Sequence, residues 1–391
     1  MGNNYNLLEV TDNKTNKLFL NFPSTLYKND ENWVRYLDQD LDKVFNLKKN
    51  KSFRSGEAIR WILLDNQKVV GRIAAFYDQK TSEKNDQPTG GVGFFECIND
   101  QLASNLLFNA SMSWLKEKGM EAMDGPINFG SRETFWGCLK EGFHEPVYNM
   151  PYNHAYYNNL FENYGFQNFF NQLTYHIKLE VGLIDPKFRK NAEELKRNEP
   201  DISFGIHDRK NPKKSEINFL EIFNASWAKF PGVRPLTEKH SSALFKSLKQ
   251  ILDPRLLIFA YKGQEPIAFF LMIPDINPII KKFNGNLNLI NKLRLLFDLK
   301  LRKQSNRALG LLFGVKPEFQ GKSITDGMIN FFEDEVGEGM HYTDLEMNWI
   351  GDFNPKMINM VETLNADLRK VHITYRYLFD REKEFKRAKI V

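Results

Sequence analysis

A chain of 391 residues is long for one hydrophobic core, so two domains are expected. With 42% hydrophobic and 26% charged residues it has the make-up of a soluble globular protein, and +5 is too small a net charge for a nucleic-acid binder, though it suits an anionic ligand or membrane surface. Two cysteines and seven scattered histidines show no metal-ligand spacing, so no metal is expected, and no apolar run reaches the ~20 residues of a membrane span, so a cytoplasmic protein is expected.

The first strand is expected at "YNLLEV" and a helix over 31–45. Two strands follow, "AIRWILL" (58–64) and "KVVGRIAAFYD" (68–78), joined by the turn Asp65-Asn66-Gln67. After a polar loop come the strand "VGFFECI" and a helix over 100–118. Its apolar stripe is Leu102, Leu106, Leu107, Ala110, Trp114 and Leu115, and Gly119 stops it. A short strand in "MEAMDGPINFG", a helix over 153–166 ending at Gly165 and a strand over 169–180 complete this half.

A basic, helix-prone stretch, 184–200, leads to a second half in the same order. It has a strand over 201–208, helices over 214–230 and 237–252, and the strand pair "RLLIFAYKG" and "EPIAFFLMIPD". Beyond an insertion lie "LLFGV", a polar turn and a helix, then the strand "MHYTDLEMNWI", the helix "NPKMINMVETLN" and the strand "LRKVHITYRYLF". Landmarks recur in both copies: Lys118-Gly119-Met120 against Glu338-Gly339-Met340, Asn128 against Asn348, and Asn153 against Asn354. The chain therefore reads as a degenerate tandem repeat.

The turn Gln320-Gly321-Lys322-Ser323-Ile324-Thr325 admits two readings. Main-chain amides at a helix start can cradle a phosphate. Alternatively, Ser323-x-x-Asp326 is a capping box that needs no ligand. The equivalent first-half turn, "ECINDQLAS", carries Glu96 and Asp100 and no basic residue, and two carboxylates repel a diphosphate. One such ligand per chain is expected, in the second half.

This order of elements resembles the GNAT acyltransferase superfamily. "GVKPEFQGKSITDGM" is similar to its Val-x-Pro-x-x-Gln/Arg-Gly-x-Gly-x-Gly/Ala turn, and the Asn-led helices "NPKMINMVETLNA" and "NHAYYNNLFENYGF" look like its last helix. "GFFECIND", "WLKEKGMEAMDGPIN", "WGCLKEGFHEPVYNMPYNHAYY" and "LEMNWI" look like a bacterial subgroup of tandem GNAT proteins whose relatives include ceramide synthases, which acylate a long-chain amine. The resemblance implies an α/β (α+β) fold of two tandem GNAT-like domains, each a mixed, mostly antiparallel central sheet flanked by helices. Residues 1–183 would form a degenerate, acceptor-side domain and 184–200 a linker helix. Residues 201–391 would form the acyl-CoA-binding domain, with an insertion at 277–303.

The resemblance further implies acetyl-CoA or a longer acyl-CoA as co-substrate. Gly314, Val315 and Lys316 would pair with the pantetheine arm as with an added strand. Gln320, Gly321, Lys322, Ser323, Ile324 and Thr325 would hold the diphosphate, and Asn354 opens the last helix. Gln320 takes the Gln/Arg position and Gly321 the glycine after it. Ser323 and Thr325 replace small residues, putting β-carbons in the cradle while offering two hydroxyls.

Acyl transfer to an amine needs a base, a donor to the thioester oxygen and an acid. Glu346 shares a strand face with Asn348 and is the candidate base, against the reading of an ion-paired strand Glu. The tyrosine expected on the last helix is absent, leaving Tyr342, Tyr375 or Tyr377 as substitutes. The loop 125–157 offers Asn128, Arg132, Glu133, His144, Asn149, Tyr152, Asn153 and Tyr156 as pocket residues, with His154 as proton carrier, unless it is only a packed irregular loop. In the insertion, Leu289, Ile290, Leu293, Leu296 and Phe297 share a helical face among Lys292, Arg294, Lys300, Arg302 and Lys303. Such a helix either lies in a bilayer interface or covers the second sheet. The expected activity is acyl-CoA-dependent N-acylation of a primary amine. Its rivals are lipid N-acylation of the ceramide-synthase kind and a non-catalytic acyl-CoA-binding or scaffold protein.

Overall fold

The computed structural model describes residues 4–83, 85–179, 185–227, 235–337 and 339–390. The expected domain boundary at 183/184, the strand end at 180, the helix end at 228–230 and Glu338 lie outside them.

After β1 (Tyr5–Glu9) comes a helix that periodicity did not reveal, α1 (Asn13–Leu26). Asp12 caps it, accepting from the Thr15 amide at 2.7 Å. Pro23 lies inside α1 and cannot donate to the Phe19 carbonyl; Arg72 does so instead, at 2.7 Å. The helix expected over 31–45 shrinks to α2 (Asp38–Val44). Val34 and Leu37 are buried against the insertion, and the Asp38 amide donates to the Gly285 carbonyl at 2.9 Å, so a distant segment holds this stretch out of a helix.

β2 (Gly56–Asp65) and β3 (Lys68–Asp78) form the expected hairpin, followed by the turn helix α3 (Gln79–Ser82), β4 (Thr89–Cys97) and α4 (Gln101–Glu117). α4 buries Ala103, Ser104, Leu107, Phe108, Ser111 and Leu115, while Leu102 is 57% exposed, so its buried face is rotated from the expected stripe. β5 (Ala122–Gly125), a short β6 (Cys138–Glu141), α5 (Tyr156–Tyr164) and β7 (Gln167–Lys178) follow. Gly165 ends α5 at φ +107°, a conformation a side chain would strain.

The rest is α6 (Pro186–Asn198), β8 (Ile202–Ile206), α7 (Pro212–Trp227), α8 (Glu238–Leu248), β9 (Leu257–Lys262), β10 (Glu265–Pro274), α9 (Asn277–Ile280), α10 (Leu289–Lys300), β11 (Arg307–Val315), α11 (Ile324–Phe331), β12 (Asp344–Gly351), α12 (Pro355–Thr363) and β13 (Asp367–Leu378).

The strands form one sheet in the order β1-β2-β3-β4-β5-β13-β7-β12-β11-β10-β9-β8, with β6 beside β13. Among the described residues only β4–β5 and β11–β12 pair parallel. The two halves trade their last strands: β13 pairs with β5, and β7 pairs with β12. β7 and β13 also pair with each other, from Asp367–His176 to Arg376–Gln167. α4 and α5 cover one stretch of sheet; α6, α11 and α12 cover another. α7 and α8 pack with Val147 and Met150 of the long loop.

Candidate active site

Both parallel pairs open after a few residues. β4 and β5 stay together from Thr89–Ala122 to Gly91–Asp124, β11 and β12 from Arg307–Asp344 to Gly310–Met347. Next to each parting is a bulge. Phe94 and Phe95 face Ile73 alone, with Phe94 at φ +52°, and Leu311 is an extra residue between the pairs Leu271–Leu312 and Met272–Gly310. A bulge turns backbone groups out of the ladder, and it does so here where the strands separate.

The two openings differ in what fills them. In the first half the chain itself enters: the Ile127 amide donates to the Val92 carbonyl at 2.8 Å, and a β-carbon on Gly93 would sit 1.9 Å from the Ile127 carbonyl oxygen. Asp100 caps α4 there, accepting from the Ala103 amide at 2.8 Å. In the second half Leu311, Leu312 and Phe313 remain partly exposed. Sequence reasoning missed Trp227, whose Nε1 donates to the Phe313 carbonyl at 2.9 Å. The Lys316 amide is taken by the Ile267 carbonyl at 2.9 Å, and Gly314 lies close under Ser226. Of the strand expected to pair with a ligand, the stretch beside the opening is therefore Leu311–Leu312, upstream of Gly314, Val315 and Lys316.

The capping-box reading of the next turn fails. Ser323 is left-handed, at φ +56°, and makes no side-chain cap to α11, while Asp326 accepts from Asn191 Nδ2 at 2.8 Å. The turn carries two left-handed residues, Gly321 at φ +75° and Ser323 at φ +56°, and from that backbone Ser323 makes no cap bond. Among the described residues no side chain caps the first-turn amides of α11. A β-carbon on Gly321 would meet nothing within 4 Å, so the turn is open to solvent there. Gln320 Nε2 donates to the Val315 carbonyl at 3.2 Å, Lys322 Nζ lies 5.3 Å from the Phe319 ring centre, and Ile324 is buried. Lys316 Nζ is held by Glu221 and Glu265, each at 2.6 Å. Asn354 caps α12, accepting from the Met357 amide at 3.3 Å.

At the closed end of this opening lies a buried charge cluster. Glu346 is fully buried and meets Lys370 at 2.6 Å, Arg307 at 3.0 Å and Arg369 at 3.2 Å; Arg307 also meets Asp275 at 2.6 Å. Burial alone would raise the Glu346 carboxyl, but Lys370 and Arg307 outweigh it and hold it below its ordinary value. A carboxylate so occupied is a weak proton acceptor, and the ion-paired reading of Glu346 describes its contacts. His144 stands exposed on the loop beside these groups; slight burial first, then Arg369 and Lys370, lower its pKa. Asn348 lies in a β12 bulge, where it and Trp349 together face Thr174, and its Oδ1 is buried without a hydrogen-bond partner. Tyr342 packs in the core with its ring 4.0 Å from that of His341, and burial raises its hydroxyl well above the usual value, so it is a poor acid.

No protein-family profile matches the chain. A solved tandem GNAT protein from the clavulanic acid biosynthesis pathway is similar over 96% of this chain and 98% of its own, at TM-score 0.54 and 8% identity. The chain has the tandem GNAT fold. A GCN5-related N-acetyltransferase from Sphaerobacter thermophilus is similar at TM-score 0.51 and 9% identity, over 96% of both chains. Among curated proteins, Protein YghO of Escherichia coli (strain K12) is 27% identical over 364 residues, 92% of each chain. A protein named bacterial ceramide synthase, from Caulobacter vibrioides (strain NA1000 / CB15N), is 26% identical over 366 residues, 92% of this chain and 94% of its own.

Within this tandem GNAT fold, the 125–157 loop scatters the residues expected to line one pocket. Asn153 clips Leu139 through both of its backbone groups, at 2.6 and 3.1 Å, and Tyr152 bonds Asp30 at 2.9 Å. Tyr156 donates to the Cys97 carbonyl at 2.7 Å. His154 stacks on Tyr27, 4.4 Å between ring centres, beside a surface hollow of about 420 Å³ that it lines with Thr25 and Asp30. Behind Tyr27, the buried Glu96 accepts from Tyr27 and Tyr157 at 2.7 Å each and meets Arg72 at 3.4 Å; burial raises its carboxyl. His154 therefore sits in the first half, apart from Glu346 and Tyr342. A larger hollow of about 750 Å³, lined by Ile206–Lys210 and Asp253–Arg255, holds none of the expected residues.

Asn128 stays within the loop, donating to the Ser131 carbonyl at 3.0 Å with its Oδ1 buried and unpartnered, while Arg132 reaches the second half's side. Trp349 Nε1 donates to the Arg132 carbonyl at 3.2 Å, and the Tyr148 amide donates to Asp275 at 3.0 Å. Sequence reasoning missed a polar file under this loop: Lys370, His372 and Thr374 on β13 beside Gln172 and Thr174 on β7. His372 Nε2 donates to the Pro151 carbonyl at 3.0 Å, which leaves Nδ1 buried with its lone pair unpartnered. The signal was in the sequence as every-second-residue polarity in both strands. It means a shared buried face only once the strands are known to be neighbours.

Proposed function

We propose that the chain is an N-acyltransferase that moves an acyl group from an acyl-CoA thioester to a primary amine at the β11/β12 opening. The observation that carries this reading is the open parting of β11 and β12 leading to an α11 start with no side-chain cap, while the first half's opening and helix start are closed by their own chain. The residues present fit the donor. Amides from Gly321 to Thr325 and the Lys322 ammonium would hold the diphosphate, and Leu311–Leu312 would flank the arm. Lys316 is not counted, since two glutamates neutralise it.

In the reaction the amine lone pair forms the C–N bond, the C–S bond breaks, the amine sheds a proton to solvent and coenzyme A leaves as the thiol. Charge gathers on the thioester oxygen as the bond forms. The buried cluster sets three cations against two carboxylates and so favours that charge. Asn348 Oδ1, buried beside the opening, would accept from the amine N–H and aim its lone pair. The acceptor that best suits the exposed apolar side chains of α10, and the ceramide-synthase name of one relative, is a long-chain amine rather than a small polar one.

The test is thiol release from acetyl-CoA and palmitoyl-CoA across an amine panel running from polyamines to sphingoid bases. Turnover is expected, with Asn348→Ala lowering kcat/KM at least ~10-fold, the loss of one transition-state hydrogen bond. Coenzyme A binding without thiol release for any amine would overturn the reading and favour a binding or scaffold protein.

A further inference from the structure

The exposed side of α10 is chemically unlike the rest of the surface. Leu295 and Leu299 are its buried contacts, packed on Ile276, Ile279, Ile280 and Phe283 and on Val34 and Leu37. This satisfies the helix within the fold, yet five more apolar side chains face outward: Leu289 (72% exposed), Ile290 (74%), Leu293 (61%), Phe297 (47%) and Leu301 (72%). The spacing 289, 293, 297, 301 places them in one file along the helix, with Ile290 beside it. Twelve large hydrophobic residues are exposed among the described residues, and these five fall within thirteen consecutive positions while the others are scattered. Single exposed leucines need no explanation, but a file of this kind does.

Its charge indicates what covers it. Residues 281–303 hold seven Lys and Arg against one Asp, a net of +6 beside the chain's +5, so all other residues together sum to −1. The one acid, Asp298, is buried and paired with Arg294 at 3.6 Å and Arg302 at 3.4 Å, which leaves no carboxylate on the exposed side of the helix. Lys292, Arg294, Lys300, Arg302 and Lys303 are exposed around the apolar file. The Arg302 guanidinium lies 5.1 Å from the Phe297 ring centre, its stem along the apolar surface and its charge at the rim. A second protein with a matching apolar strip would need its own acids to meet this rim. An anionic bilayer surface supplies acyl chains and phosphate charge together. Among the described residues no helix is long and apolar enough to cross a membrane, so contact is by lying on the surface.

We infer that α10 docks the protein on the surface of a membrane containing anionic lipid, with Leu289, Ile290, Leu293, Phe297 and Leu301 in the acyl boundary and the basic rim at the headgroups. The docking stands independently of the acyl-transfer reading. Joined with that reading, docking would bring the enzyme to the surface where a long-chain amine resides.

The experiment is flotation of the full chain with phosphatidylcholine vesicles, with and without phosphatidylglycerol, in the absence of acyl-CoA and amine. Binding is expected to the anionic vesicles only, falling as salt rises. Leu293→Glu with Phe297→Glu should lower partition at least ~10-fold, since two apolar anchors are lost. These side chains lie outside the core, so Tm and thiol release with a water-soluble amine should stay unchanged. Equal binding to both vesicles, no binding to either, or a wild-type dimer in solution that the double variant converts to monomer would each overturn the inference. The last would assign the face to a second copy of the chain.

Discussion

The residue that sequence pattern put forward as base, Glu346, is the centre of a buried network, and its neighbours explain why. Its strand lies mid-sheet, and a carboxylate there must be paired or neutral. His372, which pattern passed over, is the more informative titrating group. Burial pushes its pKa down from 6.5 to about 4, so it stays neutral in the folded protein while an unfolded chain takes up a proton below pH 6.5. The stability linked to this group is therefore complete above pH 6.5 and lost as pH falls to about 4. The loss should total roughly 3 kcal/mol. His372→Gln keeps a donor for the Pro151 carbonyl but cannot titrate. Denaturant melts across this range should show a flatter acid limb for the variant; parallel limbs would mean that the folded protein accepts the proton. Alternation in "HITYR" made His372 and Thr374 legible as one face. Only β7 alongside makes that face an interior one.

At the scale of elements, local period recovered most strands and helices but not their ends or faces. The α1 helix was hidden by its polar composition and by Pro23, whose missing bond Arg72 replaces from another strand. The turn before α11 shows the reverse error, a capping motif that the backbone does not use. Ser323 carries left-handed strain of ~1 kcal/mol that glycine would avoid. Ser323→Gly should therefore raise stability by up to ~1 kcal/mol and leave coenzyme A affinity intact or improved. Calorimetry and thermal melts on the same samples would decide it. A destabilised variant would restore the cap, and a variant that no longer binds would give the hydroxyl a direct part. α10 shows a third limit. Its stripe at 289–297 was visible as amphipathic, but both a sheet-facing and a solvent-facing stripe read the same until Leu295 and Leu299 are seen to make the contacts.

At the scale of the whole molecule, the exchange of β7 and β13 joins the repeats into one sheet. Residues 1–179 alone would lack β13, leaving β5 and its helices beside an unpaired edge and Tyr375 missing from their core. That fragment should express insolubly or without a cooperative melt, while the intact chain melts in one transition. Co-expression with residues 185–391 should restore solubility, and a soluble, cooperatively folding 1–179 would show that the exchanged strand is dispensable. What the sequence determined unaided was the kind and order of most elements, the tandem repeat and the position of the turn, because side-chain period and glycine placement act over a few residues. Tertiary structure alone decided which strands are neighbours, which opening stays clear, how Glu346 is paired and which face of α10 meets water. Those outcomes depend on contacts between segments from 24 to 252 residues apart, and no local pattern encodes the identity of a distant partner.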